Sequence, residues 1–196
     1  MTRFLKLALV LATLAACGGG GGGTYGRAPS FLDDACAIVR ERPGYLAAFR
    51  AAERKWGVPV HVQMATIHQE SKFVSDARTP HRYALGVIPV GRQSSAFGYS
   101  QALDGTWDEY VSDQRRFRAR RDRIRDATDF MGWYMAQSRR ELGIALTDAR
   151  NQYLAYHDGR AGYRRGTWKR KAWLVDVSGE VARRAEMYRQ QLPRCR

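Results

Sequence analysis

The stretch Ile67-His68-Gln69-Glu70-Ser71-Lys72-Phe73 closes an apolar run that begins near residue 58. Val60, Met64 and Ile67 recur at helical spacing, so the run reads as a helix packed into a core. Pro59 suits the first turn of such a helix. Glu70 falls at its end, where two environments are open to it. One is the solvated surface of a helix terminus. The other is a site partly shielded from water, where desolvation disfavours the carboxylate and raises its pKa. A carboxyl tuned in that way can donate a proton near neutral pH.

Working outward, residues 45–56 carry Leu46, Phe49 and Ala52 at helical spacing between Pro43-Gly44 and Gly57, which predicts a second helix. Ser30 is placed to cap a first helix carrying Leu32, Ala35, Cys36 and Val39. Downstream, residues 74–95 hold Pro80, Gly86, Pro89 and Gly91 with little helical period. They predict a long loop with short strands around residues 83–90. A structured loop of that length over residues 78–95 is a candidate functional element, a lid among the options. In Ser94-Ser95-Ala96-Phe97-Gly98-Tyr99-Ser100-Gln101-Ala102 a glycine sits between aromatics. It either lets a ligand approach the backbone or makes a tight turn closed by aromatic packing.

Asp104 reads as the cap of a helix with Trp107, Tyr110 and Val111. Residues 113–126 contain Arg115, Arg116, Arg118, Arg120, Arg121, Arg123 and Arg125, with Asp113, Asp122 and Asp126 among them. That mixture suits a solvated face better than a polyanion contact. Phe130, Trp133, Tyr134 and Met135 open an apolar helix in which Gly132 permits close packing. Thr147 or Asp148 caps a helix through Tyr153, Leu154 and Tyr156 that stops at His157-Asp158-Gly159. Residues 160–170 read as a loop rich in Gly, Tyr and Arg. A last helix spans 175–191, interrupted near Ser178-Gly179. About seven helices and a short irregular or β segment near residues 80–95 predict an α+β fold, mainly α.

Residues 1–16 join a basic start, Arg3 and Lys6, to a short apolar run, which is the pattern of an export signal. Leu14-Ala15-Ala16-Cys17 resembles a bacterial lipobox, in which Cys17 is lipidated. Gly18, rather than Asp, follows it, as in lipoproteins sorted to the outer membrane. Residues 17–29 would then be the lipidated cysteine and a Gly-rich tether, and residues 30–196 one folded domain. The expected location is the periplasmic face of the outer membrane. In that oxidising compartment Cys36 and Cys195 would pair; otherwise they are free thiols. The formal charge of +14 favours acidic partners, and export excludes nucleic acid as the natural one. No Cys-x-x-Cys or His-Glu-x-x-His spacing occurs, and His61, His68, His81 and His157 are scattered, so neither metal nor cofactor is expected.

Three separated pieces resemble one family, the lysozyme-like lytic transglycosylases of the soluble-lytic-transglycosylase domain type, in a lipoprotein branch. Glu70-Ser71 matches its Glu-Ser motif. Ala96 and Gly98-Tyr99-Ser100-Gln101 match its Gly-Leu-Met-Gln loop, with Tyr99 and Ser100 replacing Leu and Met. Ala155-Tyr156-His157 and Gly159 match its Ala-Tyr-Asn…Gly motif, with His157 replacing Asn. Gly132 before Trp133-Tyr134 also fits. The resemblance covers roughly residues 45–170 and implies a lysozyme-like fold. It implies cleavage of the MurNAc–GlcNAc bond of peptidoglycan strands with 1,6-anhydro ends, with Glu70 as single general acid and base and no cofactor. By the same resemblance Tyr156 would hydrogen-bond Glu70, Gly98, Gln101 and His157 would line the sugar cleft, and Ser71 would sit at its rim. Phe97 and Tyr99 would either stack on sugars or pack inside the lobe. Membrane anchoring follows from the lipid on Cys17. A hydrolytic muramidase on the same fold and a non-catalytic peptidoglycan-binding lipoprotein remain alternatives, and oligomeric state is left open.

Overall fold

A computed structural model describes residues 26–195; the leader, Cys17 and most of the Gly-rich tether lie outside the described residues. The chain runs through α1 (Ala35–Glu41), α2 (Tyr45–Trp56), α3 (Val60–Ser71), β1 (His81–Ala84), β2 (Ile88–Arg92), α4 (Asp104–Asp113), α5 (Ile124–Leu142), α6 (Ala149–Asp158), α7 (Arg160–Arg165) and α8 (Ala172–Gln191). Short 3₁₀ turns follow α7 at Thr167–Arg170 and α8 at Leu192–Arg194. The expected α+β, mainly α class holds, with the predicted β segment present as one antiparallel hairpin.

The centre of the molecule is α3. Val60, Val62, Gln63, Met64, Ala65, Thr66, Ile67, His68 and Ser71 are buried on it, as for a helix enclosed by others rather than laid on a surface. It packs against α2, α5, α6 and α8. At that depth Gln63 donates Nε2 to the Val58 carbonyl at 2.8 Å and the Phe49 carbonyl at 3.2 Å, while its Oε1 has no partner among the described residues. Beside α3, α2 lies on α5. Gly132 makes this closeness possible, since a Cβ there would stand 2.5 Å from Cδ1 of Trp56. A second aromatic core of Trp107, Tyr110, Phe130, Trp133 and Tyr134 joins α4 to α5. Cys36 and Cys195 form a disulfide with Cα atoms 4.9 Å apart, closing the chain over a sequence separation of 159.

Several local expectations are corrected. Asp34, not Ser30, caps α1, by accepting the Ala37 N–H at 2.9 Å; Ser30 instead donates its own N–H to Glu41. Asp104 stands inside the first turn of α4, after the cap residue Leu103, and pairs with Arg121 at 2.7 Å. Residues 160–170 are α7 and a 3₁₀ turn rather than a loop. α8 is continuous through Ser178-Gly179, because Ser178 turns its hydroxyl back to the Val175 carbonyl at 2.7 Å and stays buried. α5 begins at Ile124, and the Arg-rich segment before it is held by its interspersed acids. Arg116 bridges Asp126 and Asp129 at 2.7 and 2.9 Å, and Arg120 pairs with Asp122. Among the described residues no helix is long and apolar enough to cross a membrane.

Candidate active site

Glu70 lies in the last turn of α3. The helix stops one residue later because Lys72 and Phe73 both take left-handed backbone, with φ of 53° and 62°. Left-handed backbone is uncommon for such residues. Phe73 is held there by full burial, with its ring 6.1 Å from Tyr45 and 6.4 Å from His68. The Ser71 hydroxyl then fastens the helix end to the next loop by donating to the Tyr99 carbonyl at 2.8 Å.

The carboxyl of Glu70 is enclosed. Burial pushes its pKa up to about 7; a hydrogen bond from Tyr153 and the charge of Lys72 oppose the rise without cancelling it. The Tyr153 hydroxyl feels the carboxylate in return, and burial and Glu70 together drive its own pKa far upward. Glu70 Oε1 is buried with no hydrogen-bond partner among the described residues. A buried oxygen without a donor is uncommon and calls for an explanation. The charged neighbour acting on the group is Lys72, not a second carboxylate. Asp104 is drawn away to Arg121, and Asp76 is exposed.

The loop after the hairpin forms the facing wall. Gly98 has φ of 78°, and a Cβ on it would fall 2.2 Å from the Arg121 carbonyl oxygen. The glycine is therefore required by the Arg-rich segment, whose Arg121 carbonyl also accepts the Tyr99 N–H at 3.2 Å. Gln101 donates Nε2 to the carbonyls of Ala77 and Gly98 at 2.9 and 2.8 Å, which pins the loop to the base of the hairpin. Tyr156 donates to the Ser100 carbonyl at 2.6 Å and so joins α6 to the same loop. Gln101, Tyr156, His157 and Gly159, with Leu103 and Thr106, line a cleft of ≈ 250 Å³. A larger cavity of ≈ 780 Å³ opens between α2 and the start of α5, with Lys55, Arg123 and Asp129 among its lining, and does not include Glu70.

Two residue roles expected from the resemblance, those of Tyr156 and Ser71, change in this geometry, and the alternative left open for Tyr99 is decided. Tyr153 is the tyrosine whose hydroxyl lowers the pKa of Glu70, while Tyr156 feels the Glu70 charge but donates its hydroxyl to the Ser100 carbonyl. Tyr99 is 2% exposed, edge-on to Tyr45 with their hydroxyls 2.8 Å apart, so it packs in the core rather than on a sugar. The Phe97 ring is covered by Arg78, 4.2 Å from its centre, with Arg121 at 5.6 Å. Ser71 is buried behind the site rather than at a rim. His157 does reach the cleft, edge-on to Trp173 at 5.0 Å, and burial pushes its imidazole pKa down. Tyr153 was the residue that sequence reasoning missed. Its only signal was position, one turn before Tyr156 on the same helix. Among the described residues no group of three or more His, Cys, Asp or Glu side chains is placed to hold a metal ion.

A family model described as a transglycosylase SLT domain matches residues 5–195 of the chain. No curated protein matches it.

Proposed function

The chain belongs to the transglycosylase SLT domain family, and from that premise we propose that Glu70 cleaves the MurNAc–GlcNAc linkage of peptidoglycan as sole acid and base. Lytic action on peptidoglycan in the cell envelope belongs to the domain as a class. The identity of the acid, the product and the membrane anchor are our proposal for this chain. One observation carries it: a half-buried glutamate with a buried, unpartnered oxygen, its pKa raised by burial to about 7, and no carboxylate acting on it among the described residues.

Near pH 7 a large share of Glu70 is protonated. It gives its proton to the bridging oxygen as the bond from C1 to that oxygen breaks. The resulting carboxylate takes the proton of the C6 hydroxyl as O6 bonds to C1. Glu70 returns to its starting state, no water is consumed, and a 1,6-anhydro end remains. The substrate's own N-acetyl group is suited to stabilise the positive charge at C1, which explains how one carboxyl can suffice. Two-carboxylate glycosidases need a partner about 5–9.5 Å away. Gln101, His157 and the backbone at Gly159 would line the sugar cleft, and Tyr153 would hold the acid. The leader of residues 1–16 would direct export and be removed, and the lipidated Cys17 would then keep the domain at the periplasmic face of the outer membrane.

The test is mass spectrometry of muropeptides released from purified sacculi, with Glu70→Gln as control. Anhydro products that fall by about 10²–10⁴-fold in the variant are expected, the usual contribution of general acid–base catalysis. Products heavier by one water would make the protein a hydrolase. Sacculus binding without any product would make it a binding protein.

A further inference from the structure

The hairpin is the least covered part of the domain. Tyr83, Leu85, Val87, Ile88 and Val90 are 57, 91, 76, 53 and 56% exposed. All of β2 is exposed, and only Ala84 of β1 is half-buried, so the ribbon stands clear of the body on both faces. Elsewhere Phe31, Leu103, Phe117 and Trp173 are exposed at separate points of the sequence, which is ordinary for a protein surface. Five exposed apolar residues on one hairpin are not. Its apex is unusual in composition as well. Leu85 and Gly86 turn with φ of 51° and 75°, a conformation that usually recruits Asn, Asp or Gly. Here an aliphatic side chain occupies the first of these positions.

The flanks are basic. His81, Arg82 and Arg92 lie on the strands, Arg78 lies at the base, and all four are exposed. No acidic residue occurs between Asp76 and Asp104. We propose that the hairpin docks on a lipid bilayer with anionic headgroups, with Leu85, Val87 and Ile88 inserted and the arginines at the phosphates. An apolar tip with a cationic collar is the chemistry of an interfacial anchor. At the tip Leu85, Val87 and Ile88 offer a sugar neither hydrogen bonds nor a flat aromatic face; Tyr83 on β1 is the one aromatic ring of the patch. Strand addition by a protein partner is also disfavoured. Pro89 and Gly91, at φ 109°, interrupt β2, and the register of β1 shifts between His81 and Tyr83. The inference is independent of the chemistry assigned to Glu70.

The experiment is flotation of the chain with vesicles of phosphatidylcholine alone or with about one-third phosphatidylglycerol. Wild type is compared with Leu85→Ser/Val87→Ser/Ile88→Ser and with Arg82→Glu. Every chain is prepared without the leader and with Cys17→Ser, so that neither a lipid nor an apolar leader holds it to the vesicle and differences report the hairpin. The triple variant should partition at least ~10-fold less well into anionic vesicles, from the apolar area it no longer buries. Arg82→Glu should lose the preference for anionic over neutral vesicles while keeping the apolar tip. Both should melt as wild type does. Equal flotation of the wild type and the triple variant overturns the proposal. Two other results do the same: sacculus digestion lost without vesicles in the triple variant, which makes the hairpin a glycan surface, and a wild-type dimer that the triple variant abolishes.

Discussion

Replacing Tyr153 by Phe should move the alkaline limb of activity, and replacing Tyr156 by Phe should not. The Tyr153 hydroxyl stabilises the ionised form of Glu70 and so lowers a pKa that burial alone would place above about 7. A hydrogen bond to a charged group is worth roughly 1.5–3 kcal/mol, and about 1.4 kcal/mol corresponds to one pKa unit. Without the hydroxyl the pKa should rise by roughly one to two units. The acid then stays protonated to higher pH, and the alkaline limb shifts upward by that amount. The second half-reaction needs the carboxylate, which becomes harder to form and less well aimed, so maximal turnover should fall about 10-fold or more. Tyr156→Phe removes a tie to the Ser100 carbonyl. It should weaken substrate affinity through the loosened wall and leave the limb in place. The assay is release of soluble muropeptides from sacculi across pH 5–9, with substrate varied at each pH to separate turnover from affinity. An unmoved limb in Tyr153→Phe, with a moved limb in Tyr156→Phe, would refute the assignment and return Glu70 to Tyr156.

Three predictions concern stability. Gly132→Ala should destabilise by about 1–2 kcal/mol, seen in urea unfolding. Its gain in helix propensity of about 1 kcal/mol is outweighed by overpacking, because Trp56 cannot swing aside from its 2.9 Å bond to Asp129; equal or greater stability would sink this. Replacing Cys36 and Cys195 by Ser should cost about 2–4 kcal/mol and lower the melting temperature by about 4–16 °C, and added reductant should then change only the wild type. Asp129→Ala should cost about 2–3 kcal/mol by orphaning the buried Tyr110 hydroxyl, with little credit for ion pairs to half-exposed Lys55 and Arg116. Burial raises the pKa of Asp129, but hydrogen bonds from Tyr110, Trp56 and Lys55 outweigh it and hold the group below its ordinary value. Its contribution is therefore complete above about pH 4 and fades as pH falls through the folded pKa, so the wild-type advantage in urea should shrink toward pH 3.

What the sequence disclosed was whatever depends on local chemistry. Val60, Met64 and Ile67 at helical spacing marked α3 as a core helix, Pro and Gly without helical period located the hairpin, and two unassigned cysteines near the domain ends anticipated the disulfide. The orientation of neighbouring side chains could not be read in the same way. Tyr153 and Tyr156 lie one turn apart on α6, and the roll of that helix against α3 decides which faces Glu70. Ser71 and Tyr99 belong to motifs that suggest a site, yet tertiary packing turns both inward. Gly98 could admit a ligand or make a tight turn, and the choice rests on the Arg121 carbonyl, contributed from a distant segment. Exposure of the hairpin was equally hidden, since an aliphatic strand pattern in sequence ordinarily means burial.

The bond between Cys36 and Cys195 also has a mechanical meaning. Tension applied between the two chain ends enters at Cys36, crosses the sulfur atoms and leaves at Cys195. Everything from α2 to α8 lies in the shielded loop and carries none of it. Pulled by its ends, the chain can lengthen only through the residues outside that loop. A domain loaded through both of its ends would thus pass the force across one covalent bond, while the surroundings of Glu70 on α3 kept their shape.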